Sequence, residues 1–218
     1  MPFPTRTSTF RDSIRLGILR LGTGQPVTWI GAFPGTTRFF HEAGAKPETR
    51  SAIYTYGPQF HVACAGDFVW VGDSETGFVE AFVSTGAVRS RIQLGGLRRQ
   101  FDERAIAGVQ ARALQASLDA DERGFYATFY DARWRPERTP AFARLVPESD
   151  GHVWIEAFRE DTQTRARFAV FASSGQRVAV VDGPGAVRFL AAQQGTALGI
   201  VRDEDGFERV VIHQVSRR

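Results

Sequence analysis

The sequence contains little of what several classes of protein need. Cys64 is the only cysteine, which excludes an internal disulfide and any zinc cluster built on cysteine ligands. We expect it to be a small buried residue of a strand. Lysine is equally scarce, because Lys46 is the only one among 27 basic residues. The arginines are interleaved with 24 acidic residues, so no basic stripe predicts binding to nucleic acid.

Long hydrophobic runs are also missing. No segment approaches the roughly 20 apolar residues of a membrane-spanning helix, and residues 1–6 lack the apolar core of a signal peptide. As written, the chain is expected to be soluble and not exported. Hydrophobic residues nevertheless make up 43% of the 218, and phenylalanine is far more common than tyrosine or tryptophan. That composition predicts a folded protein and suits sheets packed face to face.

One phrase occurs three times along the chain: a strand, a small or hydroxyl residue, a glycine and a second strand. The glycine supplies the positive φ that a tight hairpin turn needs. Three copies of one hairpin indicate a repeat architecture. The glycines are Gly24, Gly86 and Gly175, and the strand pairs run over 18–24 and 27–30, 79–86 and 88–92, and 168–175 and 178–181.

A second phrase precedes two of these hairpins, a polar turn followed by a strand with tryptophan at the same position. One further strand stands ahead of each copy, so each unit holds four antiparallel strands. Four short strands in a repeating unit are typical of a propeller blade. The tryptophans are Trp70 and Trp154, in segments 66–71 and 150–155, and the preceding strands lie at 60–65 and 142–147.

The tail repeats the pattern with three strands, at 187–193, 197–201 and 208–215, around a turn at 203–206. The sequence thus predicts one all-β domain over 1–218, whose successive units have two, four, four and three strands. Its parts are a half blade at 1–35, a blade at 50–97, a helical or irregular insertion at 98–138, a blade at 139–185 and a three-stranded terminal blade at 186–218.

The insertion contains one predicted α-helix. Apolar residues recur at three- and four-residue intervals over 102–118, among them Ile106 and Val109, and Asp102 is a suitable N-cap. We expect this helix to pack on the outside of the blades. The segment 119–140 carries several aromatic residues among charges and is expected to form either one irregular strand or a loop.

With these units laid out, the chain resembles the bacterial six-bladed β-propeller proteins of the TolB/NHL-like type. The resemblance covers nearly the whole chain, including the helical insertion, and its motifs are structural, so it implies a fold and carries over no catalytic residue. It implies a partial propeller, about half of six blades. The segments that carry it are 11–16, 23–24, 31–35, 139–142, 150–155 and 198–210.

Proteins of this type close a full ring and generally begin with an export signal. The resemblance therefore implies a fragment of a longer parent, which we expect in the periplasm or outside the cell. A half-ring completed by a second copy is the alternative, and it predicts a dimer. Either way, an open terminal blade would expose an unpaired edge strand through which the chain could self-associate.

No catalytic residue, cofactor site or metal site is predicted. The histidines His41, His61, His152 and His213 show no metal-ligand spacing. We expect His152 at a surface turn, and His61 and His213 at half-exposed strand positions. The acidic run 203–205 lacks the alternating ligand spacing of a calcium loop and predicts a hairpin turn. No nucleophile elbow, phosphate loop or dinucleotide fingerprint occurs.

Aromatic residues between the strands are the one hint of a binding surface. Inter-strand loops form the mouth of a propeller, where ligands and partners usually bind. Packing between the blades would use aromatic residues as well. The candidates, expected to be exposed, are Tyr54, Tyr56, Tyr126, Tyr130 and Trp134.

Two functions are compatible with this sequence. The first is a non-catalytic scaffold whose loop face or central channel binds a protein, a peptide or a glycan. The alternative is a metal-dependent hydrolase or lyase of the six-bladed type, with its ligands in the missing blades. The fold alone does not decide between them, because propellers serve many unrelated functions.

Overall fold

The structure, a computed structural model, describes residues 6–19, 27–43, 48–161, 165–203 and 205–215. Within these ranges the chain forms sixteen β-strands and two α-helices. All strand pairs within the sheets are antiparallel. No helix in this part of the chain has the length and apolar character needed to cross a membrane.

Two of the sheets are four-stranded blades in which each strand pairs with the next along the chain, as the repeat predicts. Gly86 and Gly175 turn their outer hairpins with φ of 80° and 84°, which confirms the predicted role of both glycines. The third predicted turn, at Gly24, lies outside the described residues. The first blade contains β6 (Phe60–Ala65), β7 (Phe68–Asp73), β8 (Phe78–Val83) and β9 (Val88–Gln93), and the second contains β10 (Arg144–Pro147), β11 (Val153–Glu156), β12 (Ala166–Phe171) and β13 (Arg177–Gly183).

The tail forms the three-stranded terminal blade that the sequence predicts. Its strands also pair in chain order. At the N-terminal end, a separate two-stranded hairpin lies within the predicted half blade at 1–35. The terminal blade contains β14 (Val187–Gln193), β15 (Thr196–Arg202) and β16 (Glu208–Gln214), and the hairpin contains β2 (Ser13–Ile18) and β3 (Thr28–Pro34).

The blades stack face to face. Trp70 and Val153 belong to one buried cluster between the first and second blades, and Trp154 and Phe189 belong to another between the second and terminal blades. The leading strands lie side by side, with β10 between β6 and β14. Ser149 donates a backbone hydrogen bond to Ala192 at 3.1 Å just beyond the end of β10. Stacked sheets with adjacent leading strands make this an all-β, partial propeller-like fold.

One further sheet is not anticipated by the repeat. β1 (Arg6–Phe10), β4 (Arg38–Ala43) and β5 (Glu48–Ile53) form a three-stranded sheet in the order β1-β4-β5. These strands lack the glycine and tryptophan phrases by which the blades are recognised. The first five strands of the described chain thus form two sheets rather than a half blade alone.

The insertion contains two helices rather than one. α1 (Glu103–Ala116) follows the predicted cap, since the Asp102 side chain accepts hydrogen bonds from the backbone of Arg104 and Ala105. The expectation of an irregular strand or loop over 119–140 is wrong, because α2 (Ala120–Phe129) and a 3₁₀ turn at Ala132–Trp134 occupy it. Asp119 caps α2, whose Phe125 and Phe129 are one helical turn apart and buried.

Cys64 is exposed, so the expectation of a buried cysteine is wrong. Successive residues of a strand point to opposite faces of the sheet. Ala63 and Ala65 occupy the face of β6 that is buried against the second blade, and Cys64 therefore belongs to the other face.

Candidate functional site

The five aromatic residues expected at a binding surface do come together, in a cluster that we call the aromatic cap. The cap joins the sheet β1-β4-β5 to both helices of the insertion. Phe39 of β4 lies at its centre, with ring centroids 5.2 Å from Phe129 and 5.9 Å from Tyr54. The buried members are Phe39, Tyr54, Tyr56, Ile106, Phe125 and Phe129, against which Tyr126, Tyr130 and Trp134 pack with others.

The expectation that the five candidates are exposed is wrong, because two of them are buried and the other three are half-buried. Tyr54 and Tyr56 have relative exposures of 0% and 1%, whereas Tyr126, Tyr130 and Trp134 are half-buried. The residues around α2 explain this, because Tyr54 packs against Phe129 and Tyr56 against Tyr130. The segment that contains Tyr54 and Tyr56 was interpreted as an exposed loop, but α2 covers it and makes it part of a core. Whether these residues bind a ligand remains a prediction.

A cleft of about 290 Å³ opens at one side of the aromatic cap. We call it the Trp134 cleft. It lies between the end of β1, the segment after β5 and the 3₁₀ turn of the insertion. Its walls combine aromatic rings with two arginines that differ in their ion-pair partners. The lining includes Phe10, Arg11, Tyr54, Glu75, Trp134 and Arg135.

Three residues that line the cleft each have one fully buried polar atom with no hydrogen-bond partner in the part of the chain that the structure describes. These atoms are the Tyr54 hydroxyl, Trp134 Nε1 and Arg135 Nε. Burial raises the pKa of the Tyr54 hydroxyl, so this group keeps its proton at neutral pH. A buried polar atom without a partner costs free energy.

Arg135 is held from two sides. Its guanidinium lies over the Phe101 ring, 5.9 Å from the centroid. Its NH1 donates to both carboxylate oxygens of Glu103, at 2.8 and 2.9 Å. The Arg135 side chain is only 7% exposed, whereas that of Glu103 is 69% exposed. The cation is therefore buried while its partner lies mainly in water.

Arg11 on another wall is in the opposite situation, because its donors are used within the protein. It bonds to the backbone oxygen of Gly35 at 2.6 Å and to the carboxylates of Asp73 at 2.7 Å and Glu75 at 2.5 Å. These bonds tie the residues before β2 to the first blade. They also mean that the charge of Glu75, at the rim of the cleft, is balanced by Arg11.

A second cleft of about 400 Å³ lies on another side of the cap and includes Tyr56 and Tyr130. Its charged groups pair among themselves or with neighbours. Arg112 meets Asp161 at 2.8 Å, and Glu160 accepts from Arg99. Four of the five aromatic candidates line these two clefts, Tyr54 and Trp134 the first and Tyr56 and Tyr130 the second, whereas Tyr126 lines neither of them.

One group of possible metal ligands was missed by sequence reasoning. Glu148, Asp150 and His152 offer ligand atoms within 4.8 Å of one another at the hairpin between β10 and β11. Glu148 is buried and accepts from Trp154 Nε1 at 3.0 Å, and His152 Nδ1 lies 2.6 Å from an Asp150 oxygen. The alternating spacing across a turn was the available signal. Two carboxylates and an imidazole suit a divalent transition ion.

The remaining histidines do not join a site among the described residues. His41 is buried and shares a 3.0 Å hydrogen bond with the Thr7 hydroxyl. His61 and His213 are half-buried strand residues, close to expectation. Asp203, the first residue of the acidic run, accepts backbone hydrogen bonds from Gly206 and Phe207, as expected of a turn.

The stacked blades and the Trp134 cleft define a class, a partial propeller-like protein with a ligand-sized cleft beside an inserted helical cap. Comparison with protein-family models and with curated proteins gives no match for this chain.

Proposed function

We propose that this protein is a non-catalytic propeller scaffold that binds a protein, a peptide or a glycan through the Trp134 cleft. The observation that carries the proposal is the lining of this cavity, which combines the rings of Phe10 and Trp134 with the guanidinium of Arg135. Aromatic walls with a few convergent polar groups are typical of binding sites. The described part of the cleft pairs no nucleophile with a general base, which favours binding over catalysis.

We further propose that the chain is part of a longer, exported six-bladed protein of the TolB/NHL-like type. The outer face of the terminal blade supports this, because Leu198, Val210 and Ile212 are exposed there on neighbouring strands. The corresponding faces of the first and second blades are each covered by the next sheet. A further blade of the parent would cover this one, and a purified chain that runs as a dimer would instead indicate that a second copy does so.

The binding proposal is tested by selecting peptides and glycans from libraries on the immobilised chain. Selected ligands are then measured against Trp134→Ala and against Trp29→Ala, which changes an exposed tryptophan remote from the cleft. We expect affinity to fall at least tenfold in the first variant and to be unchanged in the second. Selected ligands that bind both variants as tightly as the unchanged chain would overturn the proposal.

A metal-dependent function with its ligands in this chain, rather than in missing blades as the sequence predicted, is favoured by one observation, the Glu148, Asp150 and His152 group. Its donors fit a divalent ion in chemical type, and the buried carboxylate of Glu148 already accepts a hydrogen bond. Titration of the chain with Zn²⁺ or Mn²⁺, followed by calorimetry, tests it. Stoichiometric binding that is lost in His152→Ala would favour the enzyme, and absence of binding would remove this observation.

A further inference from the structure

We propose that this protein binds a phosphate group, as the free ion or as part of a phosphorylated ligand, beside the leading strands of the second and terminal blades. Arg144 of β10 and Arg188 of β14 hold it through their guanidinium groups. This site is separate from the Trp134 cleft, and the inference goes beyond the proposed function.

Two arginines converge on one buried carboxylate at this place. Glu156, at the end of β11, is 3% exposed and accepts hydrogen bonds from Nε and NH2 of Arg159 at 3.2 and 3.0 Å. Arg144 Nε lies 3.6 Å from the other oxygen of Glu156, beyond hydrogen-bond length. Arg144 NH1 is buried and has no hydrogen-bond partner among the described residues. Glu156 is therefore bonded to Arg159 and pairs only weakly with Arg144.

A third arginine, Arg188, lies on the neighbouring leading strand. Glu148, just beyond the end of β10, and Ala192 of β14 form a parallel bridge. Each of them lies four residues after the arginine of its own strand, so Arg144 and Arg188 are at about the same level of two adjacent strands.

The ion pair of Arg188 is long and exposed. Its NH2 is 3.9 Å from an oxygen of Glu208, and the same oxygen lies 3.5 Å from NH2 of Arg202. Exposed pairs at such distances stabilise little. Arg188 can therefore turn to another anion at little cost.

The balance of charge around Arg144 is positive. Arg144, Arg159 and Arg188 carry three positive charges and Glu156 one negative charge, which leaves an excess of two. Burial lowers the pKa of Arg144; Glu156 opposes this effect, but Arg188 and Arg159 add to it. NH2 of Arg159 also donates to the backbone oxygen of Gly185 at 3.1 Å, just before β14. A second anion would therefore stabilise the charged form of Arg144.

A ligand can reach both proposed binding groups. The side chains of Arg144 and Arg188 are 32% and 54% exposed, whereas those of Arg159 and Glu156 are largely buried. A phosphate group carries a charge of about −1.5 to −2 near neutral pH, which matches the excess, whereas a carboxylate carries a single charge. Its oxygens accept hydrogen bonds, and the planar guanidinium group is well suited to donate them.

Calorimetric titration with inorganic phosphate and with acetate, at one ionic strength and pH 7.5, tests the inference. We expect phosphate to bind stoichiometrically and acetate at least tenfold more weakly. O-phospho-L-serine separates the two sources of the group: tighter binding than inorganic phosphate would indicate a phosphorylated ligand, and weaker binding the free ion. Phosphate that binds no more tightly than acetate would overturn the inference.

Variants assign the phosphate to the two arginines. Arg188→Gln changes an exposed side chain, so it should fold normally and bind phosphate at least tenfold more weakly. Arg89→Gln, which changes an exposed arginine of β9 in the first blade, is the matched control and should bind as the unchanged chain does. Arg144→Gln, checked for folding by circular dichroism, should resemble Arg188→Gln. Equal affinities in Arg188→Gln and Arg89→Gln would show that the site lies elsewhere and the inference is wrong.

Trp134→Ala separates this inference from the proposed function, because it should bind phosphate as tightly as the unchanged chain. If phosphate binding depends on Arg188 while no library ligand depends on Trp134, the inference stands and the scaffold proposal is wrong. If library ligands depend on Trp134 and phosphate does not bind, the scaffold proposal stands and the inference is wrong.

Discussion

The indole Nε1 of Trp70, on the first blade, donates a 3.2 Å hydrogen bond to the backbone oxygen of Gly151 at a turn of the second blade. Trp154 occupies the corresponding place one unit later but donates to Glu148 within its own blade. The same repeated residue thus joins two sheets in one unit and fixes a hairpin in the next. Both side chains are fully buried in the clusters that hold the stack together.

The contact of Trp70 leads to a prediction about stability. Trp70→Phe keeps an aromatic ring but leaves the Gly151 oxygen without its donor, so we expect a loss of about 1–3 kcal/mol in the free energy of unfolding. Trp29→Phe changes a side chain that is 67% exposed and should alter it by less than about 0.5 kcal/mol. Urea denaturation at pH 7 measures both, and similar effects of the two changes would contradict the role of the inter-blade bond.

The repeat made the blades predictable, because each hairpin and each tryptophan leaves a local signal. Gly86 and Gly175 indicate the two hairpin turns, and Trp70 and Trp154 indicate strands at corresponding positions of the two blades. α2 was missed because it is short, and its buried Phe125 and Phe129 form only one helical pair within a charged segment.

The site could be predicted only in part. The aromatic residues were recognised from the sequence, but their burial depends on α2. Tyr54 and Arg135 both line the Trp134 cleft although they are 81 positions apart in the chain, and no local sequence pattern relates them. Arg135 was not among the candidates, because no sequence signal indicates that its side chain is buried while that of its partner Glu103 is exposed.

Glu160 fastens the helical insertion to the blades. This buried carboxylate accepts from Arg99 at 2.7 and 2.6 Å and from the backbone of Asp102, the residue that caps α1. Glu160→Gln should lower the free energy of unfolding by about 1–3 kcal/mol, because a charge-assisted pair and a buried acceptor are lost. Glu208→Gln makes the same change in an exposed pair and should cost less than about 0.5 kcal/mol. Thermal denaturation distinguishes them, and an equally mild effect at both sites would argue against a fastening role for Glu160.

His61 should make stability depend on pH. Burial, and then the positive charge of Arg144, lower its pKa to about 4 from 6.5, while Asp73 acts in the opposite direction. A base with a lowered pKa binds fewer protons in the folded state, so stability is full above about pH 6.5 and falls as the pH drops towards 4, where the loss ends. Between pH 7 and pH 5 we expect a loss of about 2 kcal/mol from this residue.

The contribution of His61 is measured as the difference in pH dependence between the unchanged chain and its variants. His61→Gln should remove this part of the pH dependence, whereas His152→Gln, whose side chain is partly exposed beside Asp150, should keep it. Urea denaturation of all three proteins at pH 7 and pH 5 gives the comparison. Parallel losses in the unchanged chain and in His61→Gln would show that the histidine does not titrate as its burial requires.

Two glycine-to-alanine changes should have opposite signs. Gly175 has a φ of 84° at the outer hairpin of the second blade, and an added Cβ would find its nearest neighbour at 3.5 Å, an ordinary contact. The cost of Gly175→Ala is therefore one of backbone conformation, about 1 kcal/mol. Gly124 lies inside α2 with nothing within 4 Å of such a Cβ, so Gly124→Ala should stabilise by about 0.5–1 kcal/mol. Since the chemical change is identical, a shift of the denaturation midpoint in the same direction for both would mean that either the hairpin turn or α2 is not formed as described.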